Sequence, residues 1–279
     1  MLMRLHALAT HCAGSTIGLM CLVAIAWKVH PRWRLLMAGN RDEFHARPTA
    51  PLAVWTDAPR IAAGRDLQSG GTWVGLDSID GRCTVVTNVR DPLAQSLNAP
   101  SRGQLPVGFL ASGDSAMHHA QAALAGAAAY APFNALFIDA DSCEYLGNHP
   151  GLDRHALPPG IHGMSNGGLD TPWPKTRQLC AAMADWSQTE ATDPTAIWRA
   201  LADETVVADR DLPHTGVGVA LERLLSPAFI RGPRYGTRAS TLIAVDYEGR
   251  GYISERRFGP DGAFEGQTTL RSEENFPRD

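Results

Sequence analysis

Cysteine is scarce and irregularly spaced in this chain of 279 residues. The five cysteines are Cys12, Cys21, Cys83, Cys143 and Cys180, and no two of them form a CxxC pair. This spacing excludes a zinc knuckle and a thioredoxin-like site, and the lack of CxxCH excludes covalent c-type haem. An odd number of widely spaced cysteines indicates no disulfide framework, so we expect a reducing, cytoplasmic setting.

The chain also lacks long apolar runs and an excess of positive charge. No run approaches the roughly 20 apolar residues that a membrane-spanning helix needs, so we expect no transmembrane segment. The net charge of −4 and the pI of about 6.2 indicate no broad basic surface, so nucleic acid is not expected as a partner. With 44% hydrophobic and 19% charged residues, the chain is nevertheless able to bury a sizeable core.

Several common catalytic motifs are missing as well. The sequence contains no HExxH, no Walker sequence and no GxGxxG. These absences disfavour catalytic zinc and a phosphate-binding loop. We therefore expect no metal and no required cofactor.

The first nineteen residues differ from the rest of the chain. Residues 1–19 have one basic residue, Arg4, and polar interruptions that prevent the firm apolar core of a signal peptide. Met20 stands directly before Cys21, which favours a true start at Met20 and removal of that methionine; a propeptide and a native extension are the alternatives. We expect an extension at 1–19 and a single domain at 20–279.

Apolar runs and turn signals predict strands, then helices, then strands again. Strands are expected at 21–28, 34–38, near 61, and at 72–77, 82–89, 133–139, 143–147, 161–165, 238–247 and 250–257. Helices are expected at 114–130, 171–186, 193–204 and 218–225, a loop at 92–106 and a polar tail at 258–279. Strict βαβ alternation is absent, which favours an α+β fold of largely antiparallel sheets covered by helices.

Cys21 is the first candidate for chemistry. If Met20 is removed, this residue carries a thiol and a free α-amine, whose ordinary pKa of about 7.7–8.0 suits a base at neutral pH. The α-amine can then take the thiol proton directly or through a water, so no histidine is needed. The alternative is a cysteine buried in a strand without a catalytic role.

Charged residues follow the second predicted strand, at Asn40-Arg41-Asp42-Glu43. A strand end beside Cys21 would let Arg41 lower the thiol pKa and let Asp42 or Glu43 orient the α-amine. A solvated turn explains the same residues equally well.

Two asparagines and a late arginine could complete such a site. Asn88 ends a predicted strand and Asn166 precedes a double glycine, so either amide could donate to an oxyanion or hold a substrate carbonyl. Arg238 precedes the penultimate strand and could bind a carboxylate. Turn chemistry for the asparagines and a surface ion pair for the arginine are the alternatives. We assign Asn40, Trp73 and Arg65 to substrate binding, with Trp73 as core or pocket wall.

Taken together, these segments resemble the NRDE proteins, the transport and Golgi organisation family. The matching blocks follow the family's order and are Met20-Cys21-Leu22, Asn40-Arg41-Asp42-Glu43, Ala63-Gly64-Arg65-Asp66, Gly70-Gly71-Thr72-Trp73, Thr87-Asn88-Val89-Arg90, Ser101-Arg102-Gly103, Ser165-Asn166, Pro172-Trp173-Pro174-Lys175 and Tyr235-Gly236-Thr237-Arg238. The resemblance covers about residues 20–258.

That family is similar in turn to N-terminal-nucleophile hydrolases of the penicillin V acylase and bile-salt hydrolase kind. The resemblance implies a four-layer αββα sandwich with Cys21 as nucleophile. It also implies a catalytic set of Arg41, Asp42 or Glu43, Asn88, Asn166 and Arg238. The order of charges differs from that of the hydrolases, so which of Asp42 and Glu43 orients the amine stays open.

Three functions are compatible with these features. The first is an N-terminal cysteine amidohydrolase that acts on a small-molecule, non-peptide amide. The second, implied by the family's links to lipid metabolism and haem handling, is a non-catalytic haem or lipid carrier in which haem is a bound ligand. The third is an interaction protein without a working site. The sequence does not indicate an oligomeric state.

Overall fold

The computed structural model describes residues 20–94, 98–189 and 193–272, so the expected extension at 1–19 lies outside the described residues. Within these ranges the chain forms two sheets in which every pair of neighbouring strands is antiparallel. Helices cover the outer face of each sheet.

The first sheet has six strands in the order β10-β1-β2-β11-β12-β13. Its strands are β1 (Met20–Trp27), β2 (Trp33–Phe44), β10 (Gly160–Met164), β11 (Tyr235–Asp246), β12 (Gly251–Phe258) and β13 (Phe264–Arg271). β2 is central and pairs with β1 on one side and with β11 on the other.

The second sheet has seven strands in sequence order, from β3 to β9. Its strands are β3 (Thr49–Val54), β4 (Ile61–Asp66), β5 (Val74–Asp77), β6 (Cys83–Asn88), β7 (Phe133–Ile138), β8 (Cys143–Gly147) and β9 (Asp153–Ala156). Because each strand pairs with the next one along the chain, this sheet is a meander.

Five α-helices and three short 3-10 turns complete the described part of the chain. The helices are α1 (Gln104–Ala111), α2 (Ala116–Leu124), α3 (Pro174–Ser187), α4 (Thr195–Leu201) and α5 (Val219–Leu224). The 3-10 turns are Ala127–Ala129, Asp209–Asp211 and Pro260–Gly262.

Alternating residues of β2 show how the layers stack. Leu35 and Met37 belong to the core between the two sheets, whereas Leu36 and Ala38 pack against α3 and α4. On the far side, α1 and α2 cover the second sheet around Phe109. The order of layers is therefore helix, sheet, sheet, helix, and the four-layer αββα sandwich is confirmed.

Some boundaries differ from those that the sequence predicts. β2 continues through the charged residues to Phe44, because β11 pairs with it along this stretch and those side chains are buried. α1 begins inside the predicted 92–106 loop and continues to Ala111, where no helix is predicted, and β13 lies in the predicted polar tail. Ser115, rather than Asp114, caps α2 by accepting a hydrogen bond from the backbone N–H of His118 at 3.2 Å.

Candidate active site

Cys21 lies on β1 in the interior of the sandwich, with 4% of its surface exposed. Cys21 pairs in register with Arg41 on β2. Its side chain lies on the same face of β1 as that of Val23, which packs in the core between the two sheets. Burial, followed by the negative charge of Asp42, raises the pKa of the Cys21 thiol to about 12. The thiol is therefore protonated at neutral pH while Cys21 is joined to Met20.

Arg41, the register partner of Cys21, has its side chain on the same face of β2 as Glu43. Arg41 Nη2 donates to Glu43 Oε2 at 3.3 Å, and the second carboxylate oxygen accepts from the backbone N–H of Phe44 at 2.7 Å. Burial raises the pKa of Glu43, and the nearby Arg41 opposes that rise. Arg41 Nη1 is buried and has no hydrogen-bond partner among the described residues. This face of the site therefore keeps an unused cationic donor.

Asp42 lies on the opposite face of β2, toward the helix layer. One oxygen accepts a hydrogen bond from Thr237 Oγ1 at 2.6 Å, and the other, Oδ2, is buried with no hydrogen-bond partner in the described ranges. Burial raises the pKa of Asp42 to about 6, while the charge of Lys175 has the largest opposing effect. In register, Asp42 is the partner of Met20, the residue just before Cys21.

Two further cations, the buried Lys175 and the half-buried Arg102, belong to this region, and the sequence alone predicts no role for either of them. Lys175, in the first turn of α3, is 3% exposed and donates from Nζ to the Leu225 carbonyl at 3.0 Å. Arg102, just before α1, donates to the Pro132 carbonyl at 3.0 Å. Burial lowers the pKa of Lys175 to about 8 and that of Arg102 to about 10, and Cys21 affects both pKa values. The only signal for them in the sequence is their presence in family blocks.

Ser165 and Asn166 connect Cys21 to the second sheet. Ser165 Oγ donates to the Cys21 carbonyl at 2.8 Å, and Asn166 Nδ2 donates to the Asn88 carbonyl at 2.9 Å. The Asn166 carbonyl also accepts from the backbone N–H of Arg90 at 2.8 Å. The structure thus brings Asn88 and Asn166 together beside Cys21, at the end where β1, β6 and β10 meet.

Arg238 supports the backbone that follows β2. Its Nη1 donates to the carbonyls of Phe44, His45 and Arg47 at 3.0, 3.2 and 3.1 Å. Burial lowers its pKa, with the positive charge of Arg41 as the next cause. Arg238 therefore lies near the charged group of Arg41 and Glu43 and shapes the turn beside it.

The three residues assigned to substrate binding lie in different places. The side chain of Asn40 is fully buried, with Nδ2 donating to the carbonyls of Leu201 and Ala228 at 2.8 Å each. Trp73 packs against the core between the sheets, where an added Cβ at Gly39 would lie 3.2 Å from its Cη2 atom.

Arg65 forms a paired contact with Asp57 at 2.8 Å and stacks on Trp55, 4.1 Å from the ring centroid. No contact in the described structure joins Arg65 to Cys21. The substrate-binding roles of Asn40, Trp73 and Arg65 stay predictions.

The described residues thus place a thiol, two carboxylates, several cations and two asparagines around one end of the sandwich. Such a set can supply a nucleophile, an orienting acid and donors for a developing negative charge. Among the same residues, no group of three or more His, Cys, Asp or Glu side chains is arranged to hold a metal ion. No helix within the described ranges has the length and apolar character needed to cross a membrane.

Comparison with known families matches residues 20–260 to the family described as Transport and Golgi organisation 2. The human Transport and Golgi organization protein 2 homolog is 30% identical over 259 residues, which covers 85% of this chain and 92% of the human protein. The mouse homolog is 29% identical over 260 residues with the same coverage.

Among solved structures, the chain is similar to the Caenorhabditis elegans N-acylethanolamine-hydrolyzing acid amidase (NAAA) ortholog. The TM-score is 0.51 at 9% sequence identity, and the match covers 90% of this chain and 100% of the other. At this identity the likeness establishes the fold alone, which is that of an N-terminal-nucleophile hydrolase.

Proposed function

The chain belongs to the Transport and Golgi organisation 2 family, and we propose that within it Cys21 is the N-terminal nucleophile of an amidohydrolase that cleaves non-peptide linear amides. The proposal includes removal of Met20, which leaves Cys21 with a free α-amine. The family match begins at residue 20, which supports a functional start at this point. The cysteines of the described residues, Cys21, Cys83, Cys143 and Cys180, are all unpaired, which supports a reducing, cytoplasmic setting.

In this mechanism the α-amine takes the proton of the Cys21 thiol as sulfur attacks the amide carbonyl carbon. The resulting oxyanion is stabilised by polar donors, for which Asn88 and Asn166 are the candidates. The C–N bond then breaks, the α-ammonium returns its proton to the leaving amine, and a thioester remains on Cys21. A water molecule, deprotonated by the α-amine, attacks the thioester carbon. The C–S bond breaks, the α-ammonium returns the proton to the Cys21 sulfur, and a carboxylic acid is released.

The observation that carries the proposal is the buried Oδ2 oxygen of Asp42. Leaving a buried carboxylate oxygen without a donor costs about 1–3 kcal/mol or more, and no described residue supplies one. Because Asp42 pairs with Met20, removal of Met20 exposes an α-amino group next to this position. The N–H groups of this α-amine would supply the missing donor, and Asp42 would orient the amine and stabilise the ammonium that forms when it takes the thiol proton. This favours Asp42 over Glu43, whose oxygens accept from Arg41 and the Phe44 backbone.

A second candidate function is a carrier of an anionic ligand such as haem, with propionates bound by arginine. It is favoured by the buried, unpartnered Nη1 of Arg41 among the described residues and by the proximity of Arg102 and Arg238. Titration with haem decides it: a saturable Soret shift that Arg41→Met weakens supports a carrier, and no saturable shift removes it.

The amidohydrolase is tested on the protein after its N-terminus has been established by intact mass. Preparations with Cys21 as the first residue are incubated with a panel of fatty-acyl and aryl-acyl amides, and amine release and protein mass are followed. We expect amine release and an acyl adduct that peptide mapping places on Cys21. Cys21→Ala should abolish both, whereas Cys180→Ser, on α3, should retain them. Neither product nor adduct across the panel from the parent protein would remove the proposal.

A further inference from the structure

We propose that Asn134, with its amide fixed by Tyr145, is a positioning residue that holds residues 165–170 so that Asn166 lies beside Cys21. Residues 165–170, the bridge segment, directly follow β10. The inference rests on the proposed function, since Asn166 is one of the candidate oxyanion donors. Asn134 itself contacts neither the thiol nor a substrate in this scheme, and no motif or family block in the sequence includes it.

The bridge segment joins the first sheet to the interior strands of the second. Ser165 Oγ donates to the Cys21 carbonyl at 2.8 Å, which ties the segment to β1. Asn166 Nδ2 donates to the Asn88 carbonyl at 2.9 Å, and the Asn166 carbonyl accepts from the backbone N–H of Arg90 at 2.8 Å. The position of the Asn166 amide therefore depends on where the segment crosses from one sheet to the other.

Asn134 holds this crossing from the second sheet. It lies on β7 with its side chain fully buried, and its Nδ2 donates to the Gly167 carbonyl at 2.8 Å and to Thr87 Oγ1 at 3.1 Å. Because a carbonyl oxygen only accepts hydrogen bonds, the contact with Gly167 determines which end of the amide is the NH2 group. Gly167 directly follows Asn166, so this bond acts on the backbone one residue away from the candidate oxyanion donor.

Tyr145 keeps the Asn134 amide in this orientation. Its hydroxyl donates from β8 to Asn134 Oδ1 at 2.8 Å, and burial raises the pKa of Tyr145 to about 12, so the hydroxyl keeps its proton at neutral pH. Gly147 leaves the room for this contact, because it pairs in register with Asn134 and a Cβ there would clash with the Tyr145 hydroxyl. Both N–H groups and the oxygen of the Asn134 amide are thus hydrogen-bonded.

A buried network of this kind holds one geometry, because the loss of one member leaves its partners unpaired. Without the Asn134 donor, the Gly167 carbonyl would lose its link to β7, and the bridge segment could move away from the second sheet. Donors to an oxyanion must be held to within about 0.5 Å of their working position. The same loss would therefore misplace Asn166.

The test measures native-state hydrogen exchange by NMR in the full-length protein. The reporter is the backbone N–H of Arg90, since it bonds to the Asn166 carbonyl. Asn134→Leu nearly keeps the size of the side chain and removes its hydrogen bonds. We expect exchange at Arg90 to become about tenfold faster or more in this variant, because the bridge segment opens more often.

The matched control is Asn148→Leu, at the end of β8. The Asn148 side chain also makes three hydrogen bonds, all with backbone groups of residues 127–133. This variant should also lower the global stability but leave exchange at Arg90 near the parent rate. Equal Arg90 exchange rates in Asn134→Leu and Asn148→Leu would overturn the proposal.

If Asn134→Leu does not fold, Tyr145→Phe decides. This variant keeps Asn134 and removes the hydroxyl that fixes its amide, so exchange at Arg90 should be about threefold faster or more. An unchanged rate overturns the proposal.

Exchange is measured without substrate and is separate from turnover. A protein that cleaves no amide would therefore remove the proposed function and leave the hold of Asn134 on the bridge segment intact. Where amides are cleaved, Asn134→Leu should lower kcat by about tenfold or more with KM nearly unchanged, because a misplaced Asn166 weakens binding of the transition state. Equal kcat values for Asn134→Leu and Asn148→Leu would overturn the positioning role.

Discussion

Asn40 and Arg41 are adjacent in β2, but their side chains enter different layers of the molecule. Arg41 shares its face with Cys21 and Glu43 between the sheets, whereas Asn40 bonds to backbone near α4. The Asn40 side chain also accepts from Ser240 Oγ at 2.6 Å. The alternation of a strand thus divides one charged motif into a part that faces the thiol and a part that holds the helix layer.

For Asn40 we predict a large effect on stability. Asn40→Ala removes three hydrogen bonds and leaves the Leu201 and Ala228 carbonyls without this donor, which should destabilise the fold by about 3 kcal/mol. Urea unfolding measures the change, and Asn98→Ala, at an exposed loop residue, is the control. A change within about 0.5 kcal/mol, the range of ordinary surface substitutions, would contradict the structural role.

Gly39 should tolerate no side chain. A Cβ at this position would lie 2.5 Å from the Leu22 carbonyl oxygen and 3.2 Å from Trp73, so Gly39→Ala must displace backbone. We expect a loss of at least about 1–3 kcal/mol, as for other overpacked interiors. Gly113→Ala is the control, because a Cβ there meets nothing within 4 Å. Equal thermal unfolding midpoints for Gly39→Ala and Gly113→Ala would contradict this prediction, because the strands would then separate at Gly39 at little cost.

The raised pKa of Asp42 predicts a pH-dependent cost to the folded state. Its pKa of about 6 exceeds the ordinary value of 3.8, so the folded protein binds this proton more tightly than the unfolded chain does. The contribution favours folding below pH 4 and is lost as pH rises to about 6, by roughly 3 kcal/mol, since one pKa unit is about 1.4 kcal/mol. The stability of Asp42→Asn relative to the parent should rise over this window in urea titrations. Parallel stability curves for the two proteins would contradict the assignment.

Arg238 should restrain the turn after β2. Arg238→Met removes a guanidinium that holds three backbone carbonyls between Phe44 and Arg47. We expect faster amide hydrogen exchange in residues 44–47, by about one order of magnitude for each 1.4 kcal/mol of lost local stability. Arg210→Met, at an exposed arginine, is the control. Unchanged exchange in this turn would mean that β2 pairing alone restrains it.

Local sequence patterns predict the helices and strands whose side chains are buried against segments nearby in the sequence. The strand at 143–147 matches β8, and the proline-led helix matches α3 closely. The sequence does not predict β13. This exposed, polar strand pairs only with β12, and the periodicity of its own residues does not reveal that pairing. The end of β2 is misplaced for the same reason, since the burial of its charges depends on β11.

The residues of the candidate site are likewise predictable only in part. Cys21 and the charged segment of β2 are visible in the sequence, and the structure pairs them in register. Which carboxylate lies on which face is not visible, because it depends on where the strand begins its alternation. Lys175 and Arg102 are hidden because each reaches the site only through the packing of a helix or loop onto the sheets.

The central position of β2 also determines when the site can exist during synthesis. Asp42 receives its hydrogen bond from Thr237, 195 residues further along the chain. At translation rates of about 5–20 residues per second, roughly 10–40 s pass before that partner is made. Until then β2 has one unpaired edge, which carries two acids and an arginine inside an incomplete sheet. Late, long-range closure of this kind slows folding and exposes the nascent chain to mispairing, so a chaperone that shields β2 would matter from the synthesis of β2 until β11 has been made.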